Sequence, residues 1–321
     1  MILLTGGAGF IGSCFLKILN QNGIKEIVVV DNLRTSEKWK NLVGKRFKEY
    51  YQKNQFLELF NTKKFTNYRF DTIIHLGACT DTTQIDMDYL IENNFHYSIK
   101  LAQYALDTNA RFIYASSAAT YGAGELGYDD NLVFELKPLN PYGFSKHLFD
   151  CWVYENSLEN TFVGLKFFNV FGPNEYHKKE MASMVYKAFH QVKNNGIVRL
   201  FKSNSPDYSD GEQKRDFVYV FDVVNVMWKI MNTDIAGIYN LGSGNPRTWN
   251  DLATSVFNAV GKKPRIEYIN MPDNLADQYQ NFTQAKMDKL FGKIGHYNFT
   301  PLEDAVSNYI VDFLSKKWQY F

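Results

Sequence analysis

Cysteine is scarce. Cys14, Cys79 and Cys151 are the only three in the chain, they form no Cys-x-x-Cys pair, and an odd count argues against a disulfide framework. No apolar run approaches the ~18 residues of a membrane span. The chain opens on Met1-Ile2-Leu3-Leu4-Thr5-Gly6 without a basic stretch or a cleavage signal. Charge of one sign is also missing: 35 Lys and Arg face 34 Asp and Glu, for a formal net charge of +1. No global field therefore favours nucleic acid or an anionic membrane. None of the six histidines has the spacing of a His/His or His/Cys metal site, so no metal is expected. Internal repeats and low-complexity segments are absent. What remains is a globular protein of a reducing compartment, expected to be cytoplasmic, with neither nucleic acid nor membrane as a partner.

What is present is rhythm. With 321 residues, 45% of them hydrophobic, the chain has the length of about two domains. Short apolar runs rich in β-branched and aromatic residues at 2–5, 27–31, 72–76, 111–116, 163–168 and 238–241 read as strands. Helical patterns at 11–21, 89–106 and 144–157 lie between them. Strands apolar on both faces, alternating with helices, predict a doubly wound parallel sheet built by right-handed crossovers. Beyond Pro173 the loops lengthen, and strand-like 238–241 then returns, so the two parts interleave. Near the end, Thr300-Pro301-Leu302-Glu303 reads as an N-cap, a first-turn proline and a capping-box acid. It precedes an apolar stripe at Val306, Tyr309, Ile310, Phe313 and Leu314 that reads as the core face of a helix.

Thr5-Gly6-Gly7-Ala8-Gly9-Phe10-Ile11-Gly12 falls where the first strand turns into the first helix. Gly6, Gly9 and Gly12 permit a tight turn, close approach of a pyrophosphate, and tight packing of helix on sheet. The free N–H groups of the helix start face the phosphates. Gly-rich spacing alone is a weak signal, but here Asp31 ends the second strand about 20 residues on, as a ribose partner requires. Arg34, Lys38 and Lys53 lie nearby, and a 2′-phosphate needs such cations. On residues alone, NAD and NADP stay about even.

Tyr142-Gly143-Phe144-Ser145-Lys146 is a Tyr-x-x-x-Lys pattern at a helix start, which puts both side chains on one face. A free tyrosine, with a pKa of ~10, is a poor base at neutral pH. A lysine one turn away is expected to lower it. By itself the pattern is common and reads as helix surface. What raises it is Ser116-Ser117-Ala118-Ala119-Thr120-Tyr121-Gly122, whose hydroxyls emerge at the carboxyl end of the fourth strand, where ligands bind in this class of sheet. Ser117 is placed to hydrogen-bond the hydroxyl that Tyr142 deprotonates. Together these features predict hydride transfer at a carbinol.

On these motifs the chain resembles the extended short-chain dehydrogenase/reductases, in the branch that modifies nucleotide sugars. The match extends to Arg215-Asp216-Phe217-Val218-Tyr219-Val220 and Tyr239-Asn240-Leu241-Gly242-Ser243-Gly244. Along nearly its whole length it is similar to the ADP-L-glycero-D-manno-heptose 6-epimerases. Val30-Asp31-Asn32-Leu33, His75 with Gly77-Ala78-Cys79, Phe168-Asn169-Val170 with Gly172-Pro173, His177-Lys178 with Met181-Ala182-Ser183, and Phe282-Thr283-Gln284 carry that closer match.

The resemblance implies a Rossmann-like α/β fold with a smaller interleaved C-terminal α/β substrate domain. Residues 1–172, with a returning segment around 214–248, would hold the cofactor, and 173–213 and 249–321 the substrate. It implies oxidation of the heptose at C6 by a tightly held NADP, then reduction of the ketone from the opposite face. Tyr142 matches the first proton-handling residue and Lys178 the second, although a lysine in a loop is ordinarily just solvated. Phe10, Ile11, Asp31, Asn32, Lys38, Lys53, Leu76, Gly77, Ala78, Cys79, Thr80, Asn93, Lys146, Val170 and Lys178 are implied at NADP. Ser117, Asn169, Glu180, Lys187, Phe201, Lys202, Ser203, Asn204, Arg215 and Tyr279 are implied at ADP-heptose. Arg215 also makes sense independently, since its planar fork suits a diphosphate. A homo-oligomer, described in that family as a pentamer, follows in the same way.

Departures are visible. Glu180 stands where that family often has serine, Lys187 where it often has histidine, and the loop 202–213 is long. Glu180, two residues from Lys178, is a carboxylate able to pair with it and change its basicity. Among rival readings, a UDP-hexose 4-epimerase shares the Tyr/Lys features and has no use for Lys178. A 4,6-dehydratase wants Asp-Glu where Ala118 and Ala119 stand, and a fucose-synthase-like enzyme wants a Cys and a His near the sugar. A non-catalytic NADP-binding regulator predicts damage at Ser117, Tyr142 or Lys146, and all three are intact.

Overall fold

The computed structural model describes residues 1–61, 68–272, 276 and 279–321. The chain begins with β1 (Ile2–Thr5), α1 (Phe10–Gln21), β2 (Ile27–Asp31), β3 (Glu49–Gln52) and α2 (Lys53–Asn61). Strand β4 (Thr72–His75) is followed by α3 (Met87–Leu90), a π-helical turn (Ile91–His96) and α4 (Tyr97–Thr108) as one continuous rod. Next come β5 (Arg111–Ser117), α5 (Pro141–Glu155) and β6 (Val163–Phe167). The main sheet has seven strands, and counting from the edge its order starts with the late strand β10 (Gly237–Leu241), then β6, β5, β4, β1, β2 and β3. Every pairing within it is parallel.

Alternation along each strand explains the layers. Ile2, Leu4, Ile27 and Val29 face one buried cluster, while Leu3, Val28 and Val30 face another on the opposite side of the sheet. Helix α1 shares the first cluster with α7 (Val220–Met231), and α4 and α5 cover the second through Tyr97, Leu101, Phe149 and Val153. Strands apolar on both faces are stable only when covered in this way. The chain winds outward from β1 to β3 on one side and returns through β4 on the other, so β1 and β4 flank the switch point where such folds bind ligands.

The second part begins at β7 (Asn169–Phe171), which pairs in parallel with β9 (Lys214–Tyr219); β11 (Pro246–Thr248) pairs antiparallel to β9. Strands β8 (Val198–Phe201) and β12 (Ile266–Ile269) make a separate parallel pair beside α6 (Met184–Asn195) and α8 (Trp249–Ala259). The returning stretch is therefore divided: α7 and β10 join the main layers, and β9 and β11 the smaller sheet. Helices α9 (Asp288–Ile294) and α10 (Leu302–Asn308) follow. The six expected strands all form, within one or two residues at their ends. The N-cap expected of Thr300 does not form: Pro301 caps the helix, the Thr300 hydroxyl donates to Asp222, and Glu303 pairs with Arg247 instead of closing a capping box. Among the described residues, no helix is long and apolar enough to cross a membrane.

Candidate active site

The glycine turn works through close packing. Gly6 has φ +69, and a Cβ there would lie 2.7 Å from the Gly77 nitrogen. On Gly12 a Cβ would come within 2.1 Å of the Gly6 carbonyl oxygen, so α1 starts hard against the turn. The turn is fixed by the Gly9 N–H donating to the Gly6 carbonyl at 2.9 Å. From the end of β2, the Asp31 carboxylate reaches back to accept from the Ala8 N–H at 2.9 Å and pairs with Lys38 at 2.5 Å. Asp31, Asn32, Lys38, Lys53, Gly77, Ala78, Cys79 and Asn93 surround a hollow of about 300 Å³, with Arg34 at its rim. Lys53, at the start of α2, donates to the Asn93 side chain on the π-helical turn.

This hollow adjoins a cavity of about 870 Å³ over the carboxyl ends of β1, β4 and β5. Gly6, Gly9, Phe10, Ile11, Gly12, Leu76, Gly77, Ala78, Thr80 and Val170 line it. Ser117, Tyr142, Lys146 and Lys178 line it as well, together with Asn169, Glu180, Lys187, Phe201 and Tyr279. Lys202, Ser203 and Asn204 follow Phe201 but are not in the lining: the Lys202 N–H bonds Ile269, the Ser203 N–H bonds Asp210, and the Asn204 side chain bonds the Ala276 carbonyl. Arg215 is also outside it, buried between the rings of Trp249 (5.5 Å) and Tyr279 (4.8 Å), which do line the cavity. The Trp249 indole N–H is buried without a hydrogen-bond partner among the described residues.

Helix α5 sets the reactive pair. Asn140 caps it by accepting from the Gly143 N–H at 2.7 Å, with Pro141 in the first turn, so Tyr142 and Lys146 project from its first two turns. Burial raises the Tyr142 phenol above its ordinary value, opposed by the Ser117 hydroxyl. The expected fall in the Tyr142 pKa is therefore not found in the protein alone. Burial also takes Lys146 down to about 8, with Asp150 pulling the other way, and this weakens the cation on which that expectation relied.

Lys178 sits on a short 3-10 turn after β7, next to the left-handed residue Lys179 (φ +51), with its ammonium 5.7 Å from the centre of the Phe10 ring. Burial lowers its pKa, and the carboxylate opposing that shift is Glu175. The expected pairing with Glu180 is not formed: Glu180 is exposed, and Glu175 is buried beneath the turn. Glu175 accepts from both the N–H and the hydroxyl of Ser183, at 2.6 Å each, which anchors the start of α6. Sequence reasoning missed Glu175 and also Asn94, whose amide bonds both backbone groups of Cys79 and the Ser145 hydroxyl. Asn94 lies in the π-helical turn, which has no sequence signature.

Residues 2–242 match the NAD dependent epimerase/dehydratase family, and the chain belongs to it. A nicotinamide dinucleotide is thus its cofactor class, and the glycine turn, the held Asp31 and the flanking cations fit such a group. The chain is 50% identical to the ADP-L-glycero-D-manno-heptose-6-epimerase of Nitratidesulfovibrio vulgaris over 318 residues, covering 98% of each. It is 44% identical to the Fusobacterium nucleatum protein of the same name, covering 100% of each. The crystal structure of the Helicobacter pylori ADP-L-glycero-D-manno-heptose-6-epimerase superposes with a TM-score of 0.83 at 30% identity, over 98% of this chain and 96% of that one.

Proposed function

We propose that the chain interconverts ADP-D-glycero-D-manno-heptose and ADP-L-glycero-D-manno-heptose by oxidising and re-reducing C6, with NADP as its cofactor. The observation that carries this reading is that Tyr142 and Lys178, from two unrelated elements, line one cavity together with Ser117 and Lys146. A sugar that presents its two epimers in different orientations needs two proton-handling groups. A bound nicotinamide dinucleotide would supply the hydride acceptor and donor for oxidation and re-reduction of the sugar carbon. Ser117 orients the C6 hydroxyl, and Tyr142 takes its proton. Lys146, one turn on, offsets the phenolate charge, while Lys178 serves the epimer that Tyr142 does not reach. Arg215 lies behind Trp249, which lines the cavity with an indole N–H unpartnered among the described residues, and the two suit the diphosphate end.

NADP is favoured over NAD because Lys38 already offsets the Asp31 charge, leaving Arg34 and Lys53, which line the same hollow, for a 2′-phosphate. Residues 1–172 with 214–248 form the cofactor part in this reading, and 173–213 with 249–321 the sugar part. A homo-oligomer is implied by the family resemblance.

Incubation with ADP-heptose, UDP-glucose and GDP-mannose, with product configuration read by NMR, tests the assignment. Inversion at C6 of the ADP-heptose alone is expected. Turnover only of UDP-glucose at C4 would replace this reading with a 4-epimerase, and no turnover of any sugar would favour a non-catalytic role.

A further inference from the structure

Directly behind the reactive pair lies an ion pair that the proposed chemistry does not use. Asp150, one turn beyond Lys146 on α5, and Lys166, in the middle of β6, are both 0% exposed and meet at 2.7 Å. Two charges removed from water in this way are kept only when further hydrogen bonds complete them. Here two of those bonds reach Ser116 and Thr120, on either side of Ser117. Asp150 also accepts from the Ser116 hydroxyl at 2.7 Å and the Tyr114 hydroxyl at 3.0 Å. Lys166 donates to the Thr120 hydroxyl at 2.7 Å and lies 5.0 Å from the centre of the Tyr121 ring. Thr120 in turn donates to the Ser117 carbonyl at 2.8 Å.

The register explains the arrangement. Ser116 lies beside Lys166 in the parallel ladder, and side chains alternate along β5. Tyr114 and Ser116 therefore reach Asp150, and the strand end at Ala115, Ser116 and Ser117 lines the cavity. The two sides of the Ser116–Ser117 strand end are held by the two members of one buried pair.

We propose that Asp150, together with Lys166, is a positioning residue for the hydride-transfer site, fixing the backbone of Ser117 and supplying the carboxylate that faces Lys146. This rests on the roles given above to Tyr142, Lys146 and Ser117. Around Lys146 stand Tyr142 and Asp150 from its own helix and His75 from β4, which burial keeps neutral with Lys146 and Lys53 adding to the effect. Cys79 faces Tyr142, and Lys178 lines the same cavity from the loop after β7. Asp150 alone among these opposes the burial that lowers Lys146. Removing its charge makes the Lys146 ammonium less stable, so Lys146 loses its proton at lower pH.

Three variants test the proposal by pH profile. Lys146→Arg stays charged and identifies the alkaline limb of kcat/KM by its loss. Asp150→Asn combined with Lys166→Met removes the pair without stranding a buried charge. It is expected to move that limb down by about one pH unit, while KM for the nucleotide sugar changes by less than about twofold. A limb that stays at the wild-type pH overturns the role of Asp150. Thr120→Val keeps the ion pair but severs its link to Ser117, and is expected to lower kcat about tenfold with the limb unmoved. Wild-type kcat in that variant overturns the positioning of Ser117. Tyr142→Phe separates the two failures: full activity there removes the site reading itself, while inactivity with an unmoved limb removes only the role of Asp150.

Discussion

A tyrosine proposed to take a proton sits where burial resists its ionisation, opposed by the hydroxyl of Ser117. The lysine one turn on is itself pushed down to about 8. Each group alone is poorly tuned for its part, the phenol by being pushed up and the ammonium by being pushed down. Tyr142→Phe is therefore expected to lower kcat by about a hundredfold to ten-thousandfold while dinucleotide binding, followed by fluorescence titration, is retained. Lys178→Met is expected to leave proton handling intact for one epimer and impair it for the other, seen as unequal losses when each epimer is supplied in turn. Equal losses from both directions would remove the division of labour. At this scale Tyr142, Lys146 and Ser117 were legible because their spacing or strand-end position carries chemistry. Glu175 was not, because a glutamate in a Gly-Pro-Asn-Glu loop gives no sign of the burial that makes it Lys178's counter-charge. Asp150 and Lys166 did leave a trace: a carboxylate four residues beyond Lys146, and a lysine inside an otherwise apolar strand, which needs a buried partner.

Elements carry the cofactor turn. Strand β1, the turn and α1 form one unit because Gly12 lets the helix touch the Gly6 carbonyl. Gly12→Ala is expected to force α1 away from the turn, costing about 1–3 kcal/mol in denaturant unfolding and weakening dinucleotide binding. Wild-type stability and affinity would show that the contact is not required. The apolar strands of the main sheet were legible, since burial on both faces leaves an uninterrupted run. Strand β3, a half-exposed edge with the sequence Glu49-Tyr50-Tyr51-Gln52, and strands β7, β8, β9, β11 and β12 were not. Their residues are too few or too mixed to signal a period. At Thr300 a cap-like sequence misled because Asp222 competes for its hydroxyl and N–H.

At the scale of the whole molecule, the interleaving of the two parts brings the groups together. The chain leaves the main sheet after β6, runs through the loop that carries Lys178, and re-enters it at β10. Near-zero net charge conceals the lysines and arginines gathered along the crevice, so overall balance says little about the site. In the proposed reaction C6 is inverted by hydride leaving and returning within one cavity. ADP-heptose deuterated at C6, incubated in ordinary water with the enzyme and its bound cofactor, tests this most directly. Both C6 epimers are expected to accumulate with the deuterium retained at C6 and no net change in the cofactor's oxidation state. Epimerisation with loss of the deuterium to solvent would contradict that reaction.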